Sequence, residues 1–163
     1  MPEKTQQKAQ QQQQKTKELK VFSTQVVTLD TIKNDKRKLT LLLIIKNFGS
    51  ISEKALAYLI ELLHNEKKID LGYNIVKLGN KVIVRELTED IRALLYVGVA
   101  EVNPQTKKLQ VTSRGMEFLD SLQLQDPKID EVLKAVEEVK IKVIPIDEEV
   151  ATAVQLRQQG GRG

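Results

Sequence analysis

The chain has no cysteine, no tryptophan, a single histidine, four prolines and only three tyrosines and three phenylalanines in 163 residues. Each scarcity removes a class of protein. Without cysteine there is no disulfide framework and no thiolate metal site. The lone histidine, His64, has no second histidine or cysteine with which to hold a metal, and reads as a helix-end residue near the negative end of the helix dipole. No run of about 18 apolar residues exists that would cross a membrane. The opening stretch MPEKTQQKAQQQQQKTKELK lacks the apolar segment of a secretory signal, so a cytoplasmic location and no membrane partner are expected. Few aromatics, no cysteine and abundant Lys, Glu, Ile, Val and Leu fit a thermophile.

What remains is 40% hydrophobic, enough for one domain with appendages. The net charge of +4 is uneven. Residues 1–46 carry ten Lys/Arg against four Asp/Glu, whereas residues 47–163 carry sixteen against eighteen. The high pI therefore belongs to the N-terminal quarter, and the body is slightly acidic.

Residues 1–20 are Gln- and Lys-rich and too polar to offset ordering entropy, so a disordered basic arm is expected. It serves either as a solubility tail or as an arm that reaches phosphates. Val21 to Leu29 alternates and is rich in β-branched residues, which suggests a short strand beside a later hairpin. Asp35 caps a first clear helix to Phe48, apolar around most of its circumference and stopped by Gly49. Ser52 caps a second, Glu53 to Asn65, with Leu56, Leu59, Ile60 and Leu63 at helical spacing. Two helices across a four-residue turn with glycine begin a helix-turn-helix. Ile69 to Val84 reads as a connector with a helical turn near Asn74 to Leu78. Arg85 to Val97 reads as a third helix ended by Gly98 in the left-handed conformation. Val99–Asn103 and Lys108–Thr112 form a hairpin over Pro104–Lys107, and Ser113 caps a fourth helix.

Pro127 opens a further segment. Ile129, Val132, Leu133, Val136 and Val139 form a helical stripe. Lys140–Ile146 alternates like a strand, with Pro145 confining it to an edge, and Asp147 caps a last helix. Residues 125–156 carry four Lys and eight Asp/Glu. So acidic a module is expected to act as a dimerisation or partner-binding element rather than to lie on phosphates. Residues 158–163 are expected to be a disordered tail.

The fold class expected is thus mainly α with a small β-hairpin, a winged helix-turn-helix over residues 21–124 with its core in 36–124, followed by a helical or α+β extension over 125–157. The segment VGVAEVNPQTKKLQVTSRGMEFLDSL resembles the wing and following helix of PadR/MarR-type winged-helix regulators. The residues that carry the likeness are Gly98-Val99, Glu101, the polar wing tip, and Val111-Thr112 followed by Gly115, Phe118 and Leu119. The resemblance implies that the Thr caps the helix and that the Gly lets it pack close to the sheet. DLGYNIVKLG, residues 70–79, looks similar to small archaeal and bacterial winged-helix proteins related to YwgA. That group usually follows its glycine with Pro, an aromatic and a capping Ser. Here Gly79 is followed by Asn80-Lys81-Val82, so that cap is missing.

A recognition helix needs base-edge donors and phosphate-binding cations. The third helix supplies Arg85, Thr88 and Arg92 but also Glu86, Glu89 and Asp90, which disfavour phosphate. The wing supplies Lys107, Lys108 and Arg114 without an acid. Lys77 and Lys81, and Lys36, Arg37 and Lys38 at the first helix, are further candidates. Four to six phosphate contacts would give a log-affinity against log-salt slope of about −4 to −5. Two functions follow: a double-stranded-DNA-binding transcriptional regulator, expected as a homodimer, or a winged-helix adaptor for a protein partner in a larger assembly. No enzymatic role, catalytic residue, cofactor or metal is expected. Ser50 and Ser52 look like caps with no base beside them. Gly79 and Gly98 form no phosphate loop. The paired acids 89–90, 137–138 and 148–149 read as solvated faces, and Tyr58, Tyr73 and Tyr96 as packing residues.

Overall fold

A computed structural model describes residues 27–160. Most of the expected N-terminal arm and strand, and residues 161–163, lie outside this range. The elements are α1 (Leu29–Asn34), α2 (Lys36–Phe48), β1 (Ser50–Ile51), α3 (Glu53–Glu66), β2 (Ile75–Leu78), β3 (Lys81–Val84), α4 (Leu87–Val97), β4 (Ala100–Val102), β5 (Leu109–Val111), α5 (Ser113–Leu122) and α6 (Pro127–Gly160). The architecture is mainly helical with a small antiparallel sheet.

The caps that mark α2 and α3 are made. Asp35 Oδ1 accepts from the backbone N–H groups of Arg37 (3.0 Å) and Lys38 (3.3 Å). Ser52 Oγ accepts from Ala55 N–H at 3.2 Å. Each cap satisfies donors that the helix leaves unpaired. Gly98 ends α4 at φ 87°, a conformation glycine enters without steric penalty. Thr112, not Ser113, is the N-cap of α5, accepting from Gly115 N–H at 3.0 Å. The third helix starts at Leu87 rather than Arg85, and Glu86 gives it no side-chain cap. Arg85 precedes it, its N–H donating to Asn74 C=O at 3.1 Å.

Three other expectations are corrected. Val27 and Thr28 are not in a strand, and Leu29 opens α1. The place beside the β4–β5 hairpin goes to β1, where Ser50 faces Gln110 and Ile51 faces Leu109, giving the order β1-β5-β4. Two residues are too few to show alternation, which is why they read as a turn. The supposed connector is a hairpin, with Ile75 opposite Val84 and Leu78 opposite Lys81. Gly79 sits first in its two-residue turn at φ 61°, as a type II′ turn requires. Its β-branched run Val82-Ile83-Val84 was the strand signal.

Finally, α6 is one helix of 34 residues, not helix, strand and helix, and residues 158–160 of the expected tail belong to it. Lys140–Ile146 mimics alternation because Ile141 (76% exposed) and Ile144 (42%) point outward while Val143 is buried. Pro145 deprives the carbonyl of Ile141 of its helical donor. That residue faces solvent, where water can replace the lost bond.

Buried Leu39, Leu41, Leu42, Ile44 and Ile45 make α2 the centre of the core. Leu56, Leu59 and Leu63 of α3 and Leu87, Leu94 and Val99 close around it. Val132, Val136, Val139 and Val143 of α6 belong to the same cluster. The stripe expected to drive self-association is thus covered within the chain. Its flanks are tied down by Lys142 Nζ to Glu66 Oε1 at 2.7 Å, by Lys140 Nζ to the Asn47 carbonyl at 3.1 Å, and by Lys67 to Glu138.

At Gly115 the backbone of α5 approaches Val99, just before β4, and Val111 of β5 so closely that a Cβ would stand 2.1 Å from Val99 O and 2.7 Å from Val111 Cγ1. Gly115→Ala is expected to cost about 3 kcal/mol or more through this overlap. Urea midpoints measure it, and a loss below about 1 kcal/mol would show that the helix can move away from the sheet.

Candidate functional site

The electrostatics around α4 are organised by a buried acid. Asp90 is 1% exposed. It lies three residues after Leu87 and four before Leu94, on the apolar side of its helix, where an ionised carboxylate needs donors. Arg37 supplies two, Nε to Oδ2 at 2.7 Å and Nη2 to Oδ1 at 3.0 Å. Tyr73 Oη donates to Oδ2 at 2.7 Å, and Lys38 Nζ lies 3.2 Å from Oδ1. The Arg37 guanidinium also lies 5.2 Å from the centre of the Tyr73 ring, a cation–π distance. Lys38 reaches Asp35 as well, at 2.7 Å. One carboxylate therefore joins the start of α2, the loop before β2, and α4.

The titration behaviour follows from this geometry. The hydrogen bond to Asp90 pushes the Arg37 guanidinium upward and outweighs burial. Burial works against the Lys38 ammonium, but the hydrogen bonds to Asp35 and Asp90 prevail and raise it. Burial also opposes the charged form of Asp35, yet its bonds to Lys38 bring the carboxyl below the usual range. Tyr73 is pushed far upward, first by burial and then by the Asp90 charge beside it.

This arrangement divides the eleven candidate contact residues. Six are engaged inside the chain. Arg37 and Lys38 hold Asp90. Lys36 pairs with Asp126 at 3.1 Å, Lys77 with Glu61 at 3.3 Å, and Lys108 with Asp147 at 2.7 Å. Thr88 Oγ1 donates to Glu53 Oε1 at 2.7 Å. The Lys108 pair is well shielded: Asp147 is buried and also accepts from Ser52 N–H at 2.7 Å. Asp147 is therefore a bridge between α6, the base of the β4–β5 hairpin and the cap of α3, not the helix cap expected of it.

The other five, Lys81, Arg85, Arg92, Lys107 and Arg114, are exposed and make no salt bridge among the described residues. Arg92 and Tyr96, which is 68% exposed, lie one turn apart on the outer face of α4. Lys107 sits in the β4–β5 loop at φ 61°. Arg114 lies at the start of α5, just after the β4–β5 hairpin, its Cδ 3.7 Å from where a Cβ at Gly98 would stand.

The acids of α4 also sort differently than expected. Asp90 faces inward. Glu86 accepts from Asn74 N–H at 2.9 Å. Glu89 remains as the exposed acid among three, so the outer face opposes phosphate less than the sequence count implied.

No family model matches the chain, and neither a curated protein nor a solved structure does. Among the described residues, no helix is long and apolar enough to cross a membrane.

Two outcomes are expected. Asp90→Ala strands Arg37, Lys38 and Tyr73 and should lower stability by about 3–5 kcal/mol. A loss under about 1 kcal/mol, read from urea unfolding, would remove the carboxylate from this role. Folded Tyr73 keeps its proton where the unfolded phenol releases it. Its contribution is thus complete below about pH 10 and declines above that by about 1.4 kcal/mol per pH unit. Tyr73→Phe should flatten the decline between pH 10 and 11, and an unchanged slope would contradict the assignment.

Proposed function

We propose that the chain is a winged helix-turn-helix protein that binds double-stranded DNA, with α4 as the recognition helix and the β4–β5 loop as the wing. It would act as a transcriptional regulator of the kind its wing segment resembles. The observation that carries this reading is the order α2-β1-α3-β2-β3-α4-β4-β5, in which the β2–β3 hairpin stands between α3 and α4, with strand order β1-β5-β4 in the other sheet. It brings a helix with exposed Arg92 and a hairpin with exposed Lys107 into succession, α4 ending at the Gly98 turn that leads into β4. Arg85 and Arg92 would approach the groove. Lys107 and Arg114 would meet phosphates, and Lys81 lies further out on the β2–β3 hairpin.

A second reading, a protein-binding adaptor, is favoured by one observation: six of the eleven candidates are already engaged within the chain. Salt dependence separates the two. Four phosphate contacts give a log–log slope of about −3 to −4. Arg92→Ala combined with Lys107→Ala should reduce the slope by about 2 and weaken binding to every duplex sequence. Lys108→Ala should leave the slope unchanged, because Asp147 already holds that ammonium. Fluorescence anisotropy of a labelled duplex at low and near-physiological salt is the measurement. Absence of salt-sensitive binding would leave the adaptor reading.

A further inference from the structure

A groove of about 1000 Å³ runs between β3, the first half of α3 and the start of α4. All four residues of β3 line it, whereas β2 contributes Leu78. Side chains of a strand alternate between faces, so a cavity that touches four in succession follows the strand's edge. The opposite edge of β3 is the one paired with β2. The hairpin register sets what this free edge offers. Leu78 and Lys81 flank the two-residue turn and form a hydrogen-bonded pair, as do Val76 and Ile83. The N–H and C=O groups of Val82 and Val84 therefore point away from β2. Among the described residues, no backbone hydrogen bond outside the strand ladders reaches either one. The groove floor is apolar, formed by Ala57, Tyr58, Leu87 and Ile146. Leu78, at its rim, is 61% exposed.

We infer that the free edge of β3 receives an extended segment of a partner protein as a third strand, and that this segment carries alternate apolar residues flanked by acids. Main-chain bonds to Val82 and Val84 would supply affinity, and the apolar floor would take every second side chain. The charge at the rim selects the flanks. Lys54 and Lys81 are both exposed there and outnumber the single acid of the lining, exposed Glu53, which accepts from the Thr88 hydroxyl. A second copy of this chain fits poorly. Antiparallel β3–β3 pairing that uses both Val82 and Val84 sets Lys81 opposite Arg85 at each end, and like charges directly opposite destabilise a strand pair. A lysine at an open edge is also a common guard against self-pairing. This surface lies apart from the outer face of α4, so the inference does not depend on DNA binding.

The test uses the full chain and a blocked heptapeptide of sequence Glu-Val-Thr-Val-Thr-Val-Glu, followed by amide NMR. In the free protein, the amide of half-buried Val82 should exchange faster than that of Ile83, whereas Val84 is buried and its amide is slowed by burial alone. Peptide should shift and protect the Val82 and Val84 amides saturably. A version with lysine at both ends, and one N-methylated at alternate amides, should bind at least tenfold more weakly. Val82→Pro removes an outward N–H without touching the hairpin ladder and should abolish protection at Val84. Lys81→Glu, at an exposed position, should weaken the acidic peptide at least threefold and provides a check should the proline variant misfold. The inference is overturned if Val82 is protected in the free chain, or if millimolar peptide leaves the Val82 and Val84 amides unmoved. It is equally overturned if sedimentation finds a dimer that Lys81→Glu strengthens, because the edge would then belong to a second copy.

Discussion

A carboxylate removed from water holds the molecule together. Asp90 is enclosed, and an isolated charge there would be far too costly to persist. It persists because a bidentate guanidinium, a phenol and an ammonium converge on it. These donors come from α2 and from the loop ahead of β2. The bond pattern thereby fixes where α4 can lie, and the directional fork of Arg37 gives that placement a specificity that apolar contact alone lacks. The outward direction of Arg92 and Tyr96 is a consequence, since the opposite side of the helix is committed to Asp90, Leu87 and Leu94.

The same economy of charge recurs at the other end of the fold. Asp147 of α6 neutralises Lys108 at the base of the β4–β5 hairpin and accepts from the backbone donor of Ser52. The long acidic helix thus does locally what Asp90 does centrally: it absorbs a cation that the sequence alone would assign to a partner. Exposed pairs such as Lys36 with Asp126 contribute little to stability. The enclosed ones set geometry. The cations still facing solvent lie on α4 and in the β4–β5 loop.

Much of the helical frame was legible locally. Asp35, Ser52 and Gly98 are cap residues whose chemistry acts within four residues, so their spacing from apolar runs marks α2, α3 and the end of α4. The wing hairpin was readable for the same reason, as polar turn residues separate two short apolar runs. β1 was not, because two residues carry no period. The β2–β3 hairpin was hidden by Lys77, Gly79, Asn80 and Lys81, which read as loop although β-branched residues surround them. Pro145 misled in the other direction, since a proline inside a helix is tolerable where the orphaned carbonyl faces water. The candidate site was legible only as an inventory of cations. Their partners are distant in sequence, 53 residues separating Arg37 from Asp90, and local pattern says nothing of such pairs. The one available hint was an aspartate at an apolar position of an amphipathic helix.

Internal carboxylates divide the basic residues into those held within the chain and those left facing solvent. Titration of the isotopically labelled chain with a generic duplex, followed through backbone amide and arginine side-chain resonances, tests this division most directly. Saturable shifts are expected at Arg92, Tyr96, Lys107 and Arg114, with Arg37, Lys38 and Lys108 unmoved. Shifts centred on Lys36 to Lys38, or none at any of these positions, would contradict it.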